Sequence, residues 1–245
     1  MARRRRWLGF VIGSVIAVVV LAVGAPFVYI HFIEGAAPKP LSLGSHSSSS
    51  SSPASTPVAS GSTTVSSVDG AWRAGAGSIV GYRVKEVLVG QNNVAVGRTS
   101  SVKGSLVIGG AGTKGATVES AAFSVRMATI HSDQSERDVQ FDGRIMDVAA
   151  YPTGKFTLTH PIALGSAPPV GEVKSYQAKG DLTLHGHTRP VTFTVSAERT
   201  SSGIRISGSI PVKFADWDIP NPSFGTFVTT ADNGVLEFLL TFVKG

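Results

Sequence analysis

The feature that most constrains this fold is an alternation of apolar and polar side chains with a period of two, which recurs between residues 69 and 245. Alternate residues of a β-strand lie on opposite faces of the sheet, so each such run predicts a strand with one apolar face. Eight runs show the pattern: Ser78–Leu88, Val102–Ile108, Phe123–Met127, Phe156–Leu158, Tyr176–Leu184, Val191–Ser196, Ile204–Phe214 and Val235–Val243.

The connections between these runs are short. His185-Gly186-His187 and Thr200–Gly203 leave room only for hairpins, which predicts antiparallel neighbours. Eight antiparallel strands avoid exposed edges by closing on themselves or by forming a sandwich, and an eight-stranded barrel has room inside for side chains or one small ligand. We therefore expect an all-β fold over residues 69–245, an eight-stranded antiparallel β-barrel in our preferred form.

One segment, Ser132–Tyr151, breaks the alternation. Its apolar residues recur at roughly helical spacing, Ser132 or Asp133 can cap the start, and Pro152 follows the end. We expect one or two short helices here, inserted between strands. The glycines at 104, 180 and 208 fall on the predicted inward faces, where they indicate either a bend of the strand or space for a ligand.

Two groups of residues offer chemistry, and both have a simpler interpretation. The acidic segment 133–147 can supply an acid and a base for an envelope enzyme, but it also reads as a solvated helix face. His185 and His187 can hold a metal with His131 or His160, but they also suit a solvent-facing turn. The absence of Cys excludes thiolate metal sites and cysteine nucleophiles. We predict no catalytic residue, no metal and no cofactor.

The N-terminus predicts a membrane anchor. Residues 7–33 contain no Lys, Arg, Asp or Glu and are long enough to cross a bilayer as a helix. The arginines at positions 3–6 place residues 1–6 in the cytoplasm and the rest of the chain outside. A cleaved signal peptide is the alternative, with small residues at 22–25 as the cleavage site. We favour a retained single-pass anchor, because the apolar stretch exceeds the usual signal-peptide core.

Residues 34–68 predict a flexible tether, because their Ser and Pro content, with an unbroken Ser run at 47–52, leaves little apolar surface to bury. Of the formal net charge of +6, five basic residues and Glu34 in the first forty positions supply +4. The remaining charge is too thinly spread for a nucleic-acid-binding surface, so we predict no nucleic-acid partner.

From residue 69 onward the chain resembles the YceI-like family of lipid- and polyisoprenoid-binding proteins. The resemblance rests on a set of segments in a fixed order: Asp69-Gly70-x-Trp72, Gly104-Ser105-Leu106, Arg137-Asp138 followed by Phe141, Ile145, Met146 and Asp147, Tyr151-Pro152, Gly180-Asp181-Leu182-Thr183-Leu184-His185-Gly186-x-Thr188-Arg189-x-Val191, and Phe214-x-Asp216-Trp217-x-Ile219. The chain departs from the family at Glu86, since many members carry a His near the end of this strand.

The resemblance implies a lipocalin-like barrel with a helical insertion, enclosing a long isoprenoid or other lipid. We expect extracytoplasmic, membrane-tethered lipid binding for carriage, storage or protection. The residues expected to line the tunnel are Val80, Tyr82, Val84, Phe123, Val125, Phe156, Leu182, Val191, Phe193, Ile206, Ile210, Phe238 and Leu240. The alternative to a tunnel is a packed barrel that acts as a protein-interaction module, with the loop 216–222 docking a partner unless Trp217 caps the barrel.

Overall fold

The computed structural model describes residues 37–44, 67–88, 90–111, 115–166, 168–225 and 228–245. None of the helices in these ranges has the length and apolar character needed to cross a bilayer. The predicted cytoplasmic residues 1–6, the predicted anchor 7–33 and most of the predicted tether 34–68 lie outside the described residues.

The described residues form twelve strands: β1 (Gly70–Ala74), β2 (Ile79–Leu88), β3 (Gln91–Thr99), β4 (Val102–Gly109), β5 (Ala116–Arg126), β6 (Thr153–Leu158), β7 (Ile162–Gly165), β8 (Val173–Leu184), β9 (His187–Arg199), β10 (Ile204–Lys213), β11 (Val228–Thr230) and β12 (Asn233–Lys244). A helix, α1 (Ser135–Gln140), is extended by one π-helical turn, Phe141–Ile145. Single 3₁₀ turns lie at Met127–Thr129 and Phe214–Trp217.

Eight of the strands close into a ring in the order β1-β4-β5-β6-β8-β9-β10-β12. The ring is closed by β12, which pairs antiparallel with β1, Trp72 opposite Lys244. The other strands continue members of this ring, because β2 follows β1 along β12, β3 pairs with β2, and β7 follows β6 along β5. The predicted closed, antiparallel, eight-stranded barrel is confirmed, and the sandwich alternative is wrong.

Each of the eight predicted runs overlaps a strand, with only the end residues Ser78, Met127 and Phe214 outside, but β1, β3, β7 and β11 were missed. The first half of β3 reads Gln91-Asn92-Asn93, and such residues are depleted in strands. This strand forms because it pairs along its whole length with β2. Hydrogen bonding to the neighbouring strand β2 thus outweighs the weak β-strand propensity of these residues.

The hairpin predicted at His185-Gly186-His187 is confirmed. Leu184 pairs with His187, and the two turn residues between them have positive φ values, 46° at His185 and 77° at Gly186. Two positive φ values define a type I′ turn, which matches the twist of the flanking strands. The turn thereby fixes the register of β8 and β9.

The predicted helix lies in what we call the lid segment, Ser132–Tyr151, at the end of the barrel where β2 ends and β3 begins. Helix α1 confirms the prediction, but capping by Ser132 or Asp133 is wrong, because Gln134 occupies the cap position without a side-chain hydrogen bond. Both the amide and the hydroxyl of Ser132 donate instead to Asp138, at 2.8 and 2.7 Å. This contact ties the start of the lid segment to its helix.

Part of the interior is solid. Trp72 is 1% exposed and Phe242 is fully buried on the β1–β4–β12 side of the barrel. The indole nitrogen of Trp72 donates to the backbone oxygen of Val68 at 2.8 Å, and the Phe242 ring meets Phe123 edge-on at 5.8 Å. A buried aromatic cluster of this size supplies a large share of the hydrophobic stabilisation.

Two ends of the predicted tether contact the barrel. Residues 37–44 lie on the outer wall, where Leu43 is buried, and Val68 is buried beside Trp72. These residues differ from the flexible chain that their composition predicts. Composition reports only the apolar surface within the segment, whereas the barrel provides the surface against which Leu43 and Val68 pack.

Candidate functional site

The barrel encloses a cavity of about 200 Å³ that we call the apolar chamber. Its walls are inward-facing side chains of the ring strands, and nearly all of them are hydrocarbon. Apolar cavities of about 150 Å³ stay dry and bind small hydrocarbons. Ten of the predicted tunnel residues line this chamber: Val80, Phe123, Val125, Phe156, Leu182, Phe193, Ile206, Ile210, Phe238 and Leu240.

A second cavity of about 660 Å³, the lid chamber, lies beneath the lid segment. Its size falls within the range of about 300–1,000 Å³ typical of ligand pockets. The predicted residues Tyr82 and Val84 line it, together with Phe141 and Met146 of the lid segment. Of the thirteen predicted residues, only Val191 lines neither chamber, and it packs half-buried against the core.

The two chambers adjoin inside the barrel. Met127, Ile130, Leu184 and Leu236 contribute to the walls of both. All four side chains are apolar, and Met127 has the flexible, unbranched side chain that adapts best to a changing neighbour. The two chambers are therefore neighbours along the barrel interior, with these four side chains at the boundary between them.

Three glycines explain why large rings leave the apolar chamber open. A Cβ atom placed on Gly104 would overlap the ring of Phe123, one on Gly180 would meet Phe156 at 2.5 Å, and one on Gly208 would meet Phe238 at 2.6 Å. Each ring therefore occupies the space over a glycine and lies against the wall. The space directly over each glycine thus holds a ring of the protein itself, where one of the two sequence interpretations expects space for a ligand.

The rings form a continuous aromatic belt around the apolar chamber. Phe123 and Phe156 stack at 6.4 Å, Phe156 meets Phe193 edge-on at 5.3 Å, and Phe193 meets Phe238 edge-on at 6.0 Å. Edge-to-face and offset pairs at these separations stabilise one another. The belt makes the chamber wall rigid as well as apolar.

A group of charged and polar side chains lies at the rim of the lid chamber. Arg137 donates to Glu86 at 3.2 Å and also pairs with Asp133, while Asn93 donates to Glu86 at 2.9 Å. Burial lowers the pKa of the Arg137 guanidinium, but the neighbouring carboxylates of Glu86 and Asp133 raise it by more, so the net direction is upward. Arg137 stays charged and joins the lid segment to β2.

This pairing accounts for Glu86, the position at which the chain departs from the family pattern. The carboxylate of Glu86 replaces a His with a group that pairs with Arg137. Asp138, the sequence neighbour of Arg137, accepts a hydrogen bond from Ser132 and lies 3.2 Å from His131. Arg137 and Glu86 are 51 positions apart, so only the folded chain brings them together.

Arg144 holds the opposite side of the lid segment. Its guanidinium donates to the backbone oxygens of Asn221 at 3.2 Å and Pro222 at 3.1 Å, in the loop between β10 and β11. The sequence offers no signal for this contact, because exposed arginines are common in helical insertions. The lid segment is thus fastened to β2 through Arg137 and to this loop through Arg144.

Tyr82 lies between the barrel wall and the lid segment. Its ring stacks on Phe141 at a centroid distance of 5.1 Å. Burial raises the pKa of the Tyr82 hydroxyl well above its ordinary value of 10.0, and the positive charge of Arg137 offsets only part of that shift. The hydroxyl is therefore neutral at physiological pH.

The raised pKa predicts a loss of stability in alkali that depends on Tyr82. Above about pH 10 the unfolded chain releases the Tyr82 proton while the folded chain retains it, so the free energy of unfolding falls by about 1.4 kcal/mol per pH unit for this group. In Tyr82→Phe this contribution is absent, and the urea midpoint declines less steeply above pH 10. Tyr151→Phe is the matched control, and equal slopes for Tyr82→Phe and the unsubstituted chain would contradict the assignment.

Two of the residues considered for catalysis or metal binding, Asp133 and His185, have structural partners. Asp133 pairs with Arg137, and the ring of His185 packs on Tyr151 at 4.5 Å with its Nδ1 3.3 Å from the backbone oxygen of Trp217. In the described part of the chain, no group of three His, Cys, Asp or Glu side chains is placed to hold a metal ion.

Trp217 is not available for docking a partner. It is 3% exposed, and its indole nitrogen donates to the backbone oxygen of Leu182 at 3.2 Å. Trp217 therefore caps the barrel, as one of the two sequence interpretations expects.

The sequence analysis missed the residues at the junction of the two chambers. Leu184 and Leu236 lie in predicted runs on the same strand face as Leu182 and Phe238, and that shared face is the signal that could have found them. Met127 ends a predicted run and begins a 3₁₀ turn, and Ile130 directly follows that turn, where alternation carries no information.

Comparison with known proteins agrees with this geometry. The chain shares 38% identity over 73 residues with a UPF0312 protein of Pseudomonas putida, covering 29% of this chain and 34% of the relative. It shares 30% identity over 105 residues with a UPF0312 protein of Pseudomonas savastanoi pv. phaseolicola, covering 40% of this chain and 51% of the relative. The matches thus span between a third and a half of these relatives.

A solved structure has the same fold. The polyisoprenoid binding domain from Saccharophagus degradans, implicated in plant cell wall breakdown, superposes with a TM-score of 0.56 at 13% identity, covering 71% of this chain and 98% of that domain. The YceI-like domain model matches residues 59–242, which include the whole ring of strands except the end of β12. The chain therefore belongs to the YceI-like family.

Proposed function

We propose that the barrel binds a long-chain, isoprenoid-like lipid, with its hydrocarbon chain in the apolar chamber and its other end in the lid chamber. The observation that carries this proposal is the pair of adjoining chambers inside the barrel, of which the inner one has a wall made almost wholly of hydrocarbon. The polyisoprenoid binding of the Saccharophagus degradans domain supports the same ligand class.

The free energy available to such a ligand is sufficient without any catalytic group. Each methylene removed from water contributes about 0.8 kcal/mol. A ligand of about 25 heavy atoms at about 0.3 kcal/mol per atom gains about 7–8 kcal/mol, which corresponds to a low-micromolar dissociation constant. Binding of this strength suits a carrier or store that must also release its lipid.

The proposal includes the location of the barrel. The apolar segment 7–33 anchors the chain in the cytoplasmic membrane, and the basic residues before it keep the N-terminus inside. The barrel then works on the outer side of that membrane, next to the source of its lipid.

The test is to purify the full chain from its native membrane, extract bound lipid with organic solvent and identify it by mass spectrometry. We expect about one long-chain lipid per chain. The Ala178→Phe chain, in which a ring occupies the apolar chamber, controls for lipid carried on the outside. Absence of long-chain lipid, with equal failure of an apolar fluorescent probe to enter the barrel, would overturn the proposal.

The lid segment predicts a kinetic effect on this binding. Arg144→Gln removes the two charged hydrogen bonds to Asn221 and Pro222, worth about 1 kcal/mol at an exposed site. Uptake and release of a fluorescent fatty probe should both accelerate by about 5-fold with little change in dissociation constant. Arg73→Gln, an exposed arginine on β1, should leave both rates unchanged. An unaltered release rate in Arg144→Gln would exclude the lid segment as the barrier.

A further inference from the structure

A short segment that precedes the barrel in sequence is fastened to its outer wall. Residues 37–44, which we call the strap, lie across β2 and β3, where the backbone oxygen of Pro38 accepts a hydrogen bond from Arg83 and that of Lys39 accepts one from Arg98. Both arginines stand on the outward face of the sheet. The strap is therefore bound through its backbone, by side chains that the barrel presents.

A buried carboxylate lies beneath the strap. Glu237 points outward from β12, yet it is only 3% exposed because the strap covers it. It pairs with Arg98 at 2.7 Å and Arg83 at 3.4 Å, and its Oε2 accepts the amide of Leu41 at 3.3 Å. Leu43 is 7% exposed. A buried carboxylate requires such donors, so removing the strap would leave Glu237 short of one of them.

The position of the strap changes the geometry of the predicted tether. From Ile33, the end of the apolar segment, to Pro38 is five residues, which reach at most about 17 Å. A free chain over the whole of 34–68 would have a mean span of about 30 Å. While the strap is bound, the part of the chain between the strap and β1 adds nothing to the distance from the membrane.

We propose that the strap is a clamp that holds the barrel close to the bilayer, and that its release converts a short tether into a long one. The inference rests on the membrane anchoring in the proposed function. Glu86, on the rim of the lid chamber, is three residues beyond Arg83 along β2, which is about 10 Å. The bound strap thus keeps the lid end of the barrel within reach of the membrane.

The test uses energy transfer from the barrel to the membrane. The chain has no Cys, so Thr192→Cys on the exposed face of β9 accepts one donor dye. The full chain is reconstituted in vesicles of phosphatidylethanolamine and phosphatidylglycerol containing an acceptor-labelled lipid. Leu43→Asp, which makes the buried strap side chain charged, should lower the transfer efficiency, because the tether between membrane and barrel lengthens from at most about 17 Å to a mean span of about 30 Å. Gly44→Asp adds the same charge at a position where a Cβ atom has no neighbour within 4 Å, and it should leave the transfer efficiency unchanged.

Hydrogen exchange measured on the same chains separates docking from anchoring. The peptide containing Leu41 should be protected in the unsubstituted chain and in Gly44→Asp, and should exchange freely in Leu43→Asp. If Leu43→Asp loses protection at the Leu41 peptide but keeps the same energy-transfer efficiency, the clamp is overturned while membrane anchoring stands. Free exchange in the unsubstituted chain would overturn docking itself. If the chain does not float with the vesicles, anchoring fails and the clamp with it, while protection still reports whether the strap binds.

Discussion

Replacing Ala178 by Phe is expected to weaken binding of a long-chain lipid by about 100-fold while the barrel stays folded. Ala178 is 3% exposed, lines the apolar chamber and lies opposite Phe193 in the register of β8 and β9. A ring at this position occupies space that the hydrocarbon chain would otherwise fill. Displacing about four methylenes of the lipid at about 0.8 kcal/mol each costs about 3 kcal/mol of binding free energy. A loss of this size corresponds to the expected weakening of about 100-fold.

The control is Thr192→Phe, which puts the same ring on the exposed outer face of β9. Binding is measured by titrating the full chain in detergent with a fluorescent fatty probe, and folding by circular dichroism. The Thr192→Phe chain should bind as tightly as the unsubstituted one. Equal dissociation constants for the two Phe variants would show that lipid does not use the apolar chamber.

Replacing Phe242 by Ala is expected to lower the free energy of unfolding by about 3–5 kcal/mol, the usual range for removing a buried aromatic ring. Phe242 is fully buried and packs against Phe123 on the solid side of the barrel. For a domain of this size the melting temperature should fall by about 10 °C.

The matched substitution is Phe224→Ala, because Phe224 is 59% exposed. Its effect should stay within about 0.5 kcal/mol, as for most surface changes. Urea titration of both chains, with the slope of the transition compared, checks the difference. If the two losses were similar, the cluster around Phe242 could not be the part of the interior that stabilises the barrel.

Much of the fold was predictable because strand alternation is a local property. Which side of the strand Phe123 or Ile206 faces follows from its position in the run, and this places both at the apolar chamber. Val191 is the exception. It lies opposite Gly180, and the ring of Phe156 fills the space there. Val191 is therefore on the predicted inward face of its strand but does not reach the cavity.

The contacts that hold the lid segment and the strap against the barrel were not predictable. Arg144 finds its partner Asn221 at a separation of 77 positions, and Leu41 finds Glu237 at 196. No pattern within either segment indicates the other, because each contact depends on closure of the barrel. The strap shows the same limit, since its own composition predicts a flexible chain.

The sequence by itself determined that the chain alternates between two faces, forms antiparallel hairpins and carries one helical insertion, since these features depend on neighbouring residues only. Whether the closed barrel is solid or hollow was decided by the tertiary structure. The reason is that the rings of Phe123, Phe156 and Phe238 lie over glycines of adjacent strands rather than across the interior. That choice depends on which strands meet and in what register, which no single run of residues contains.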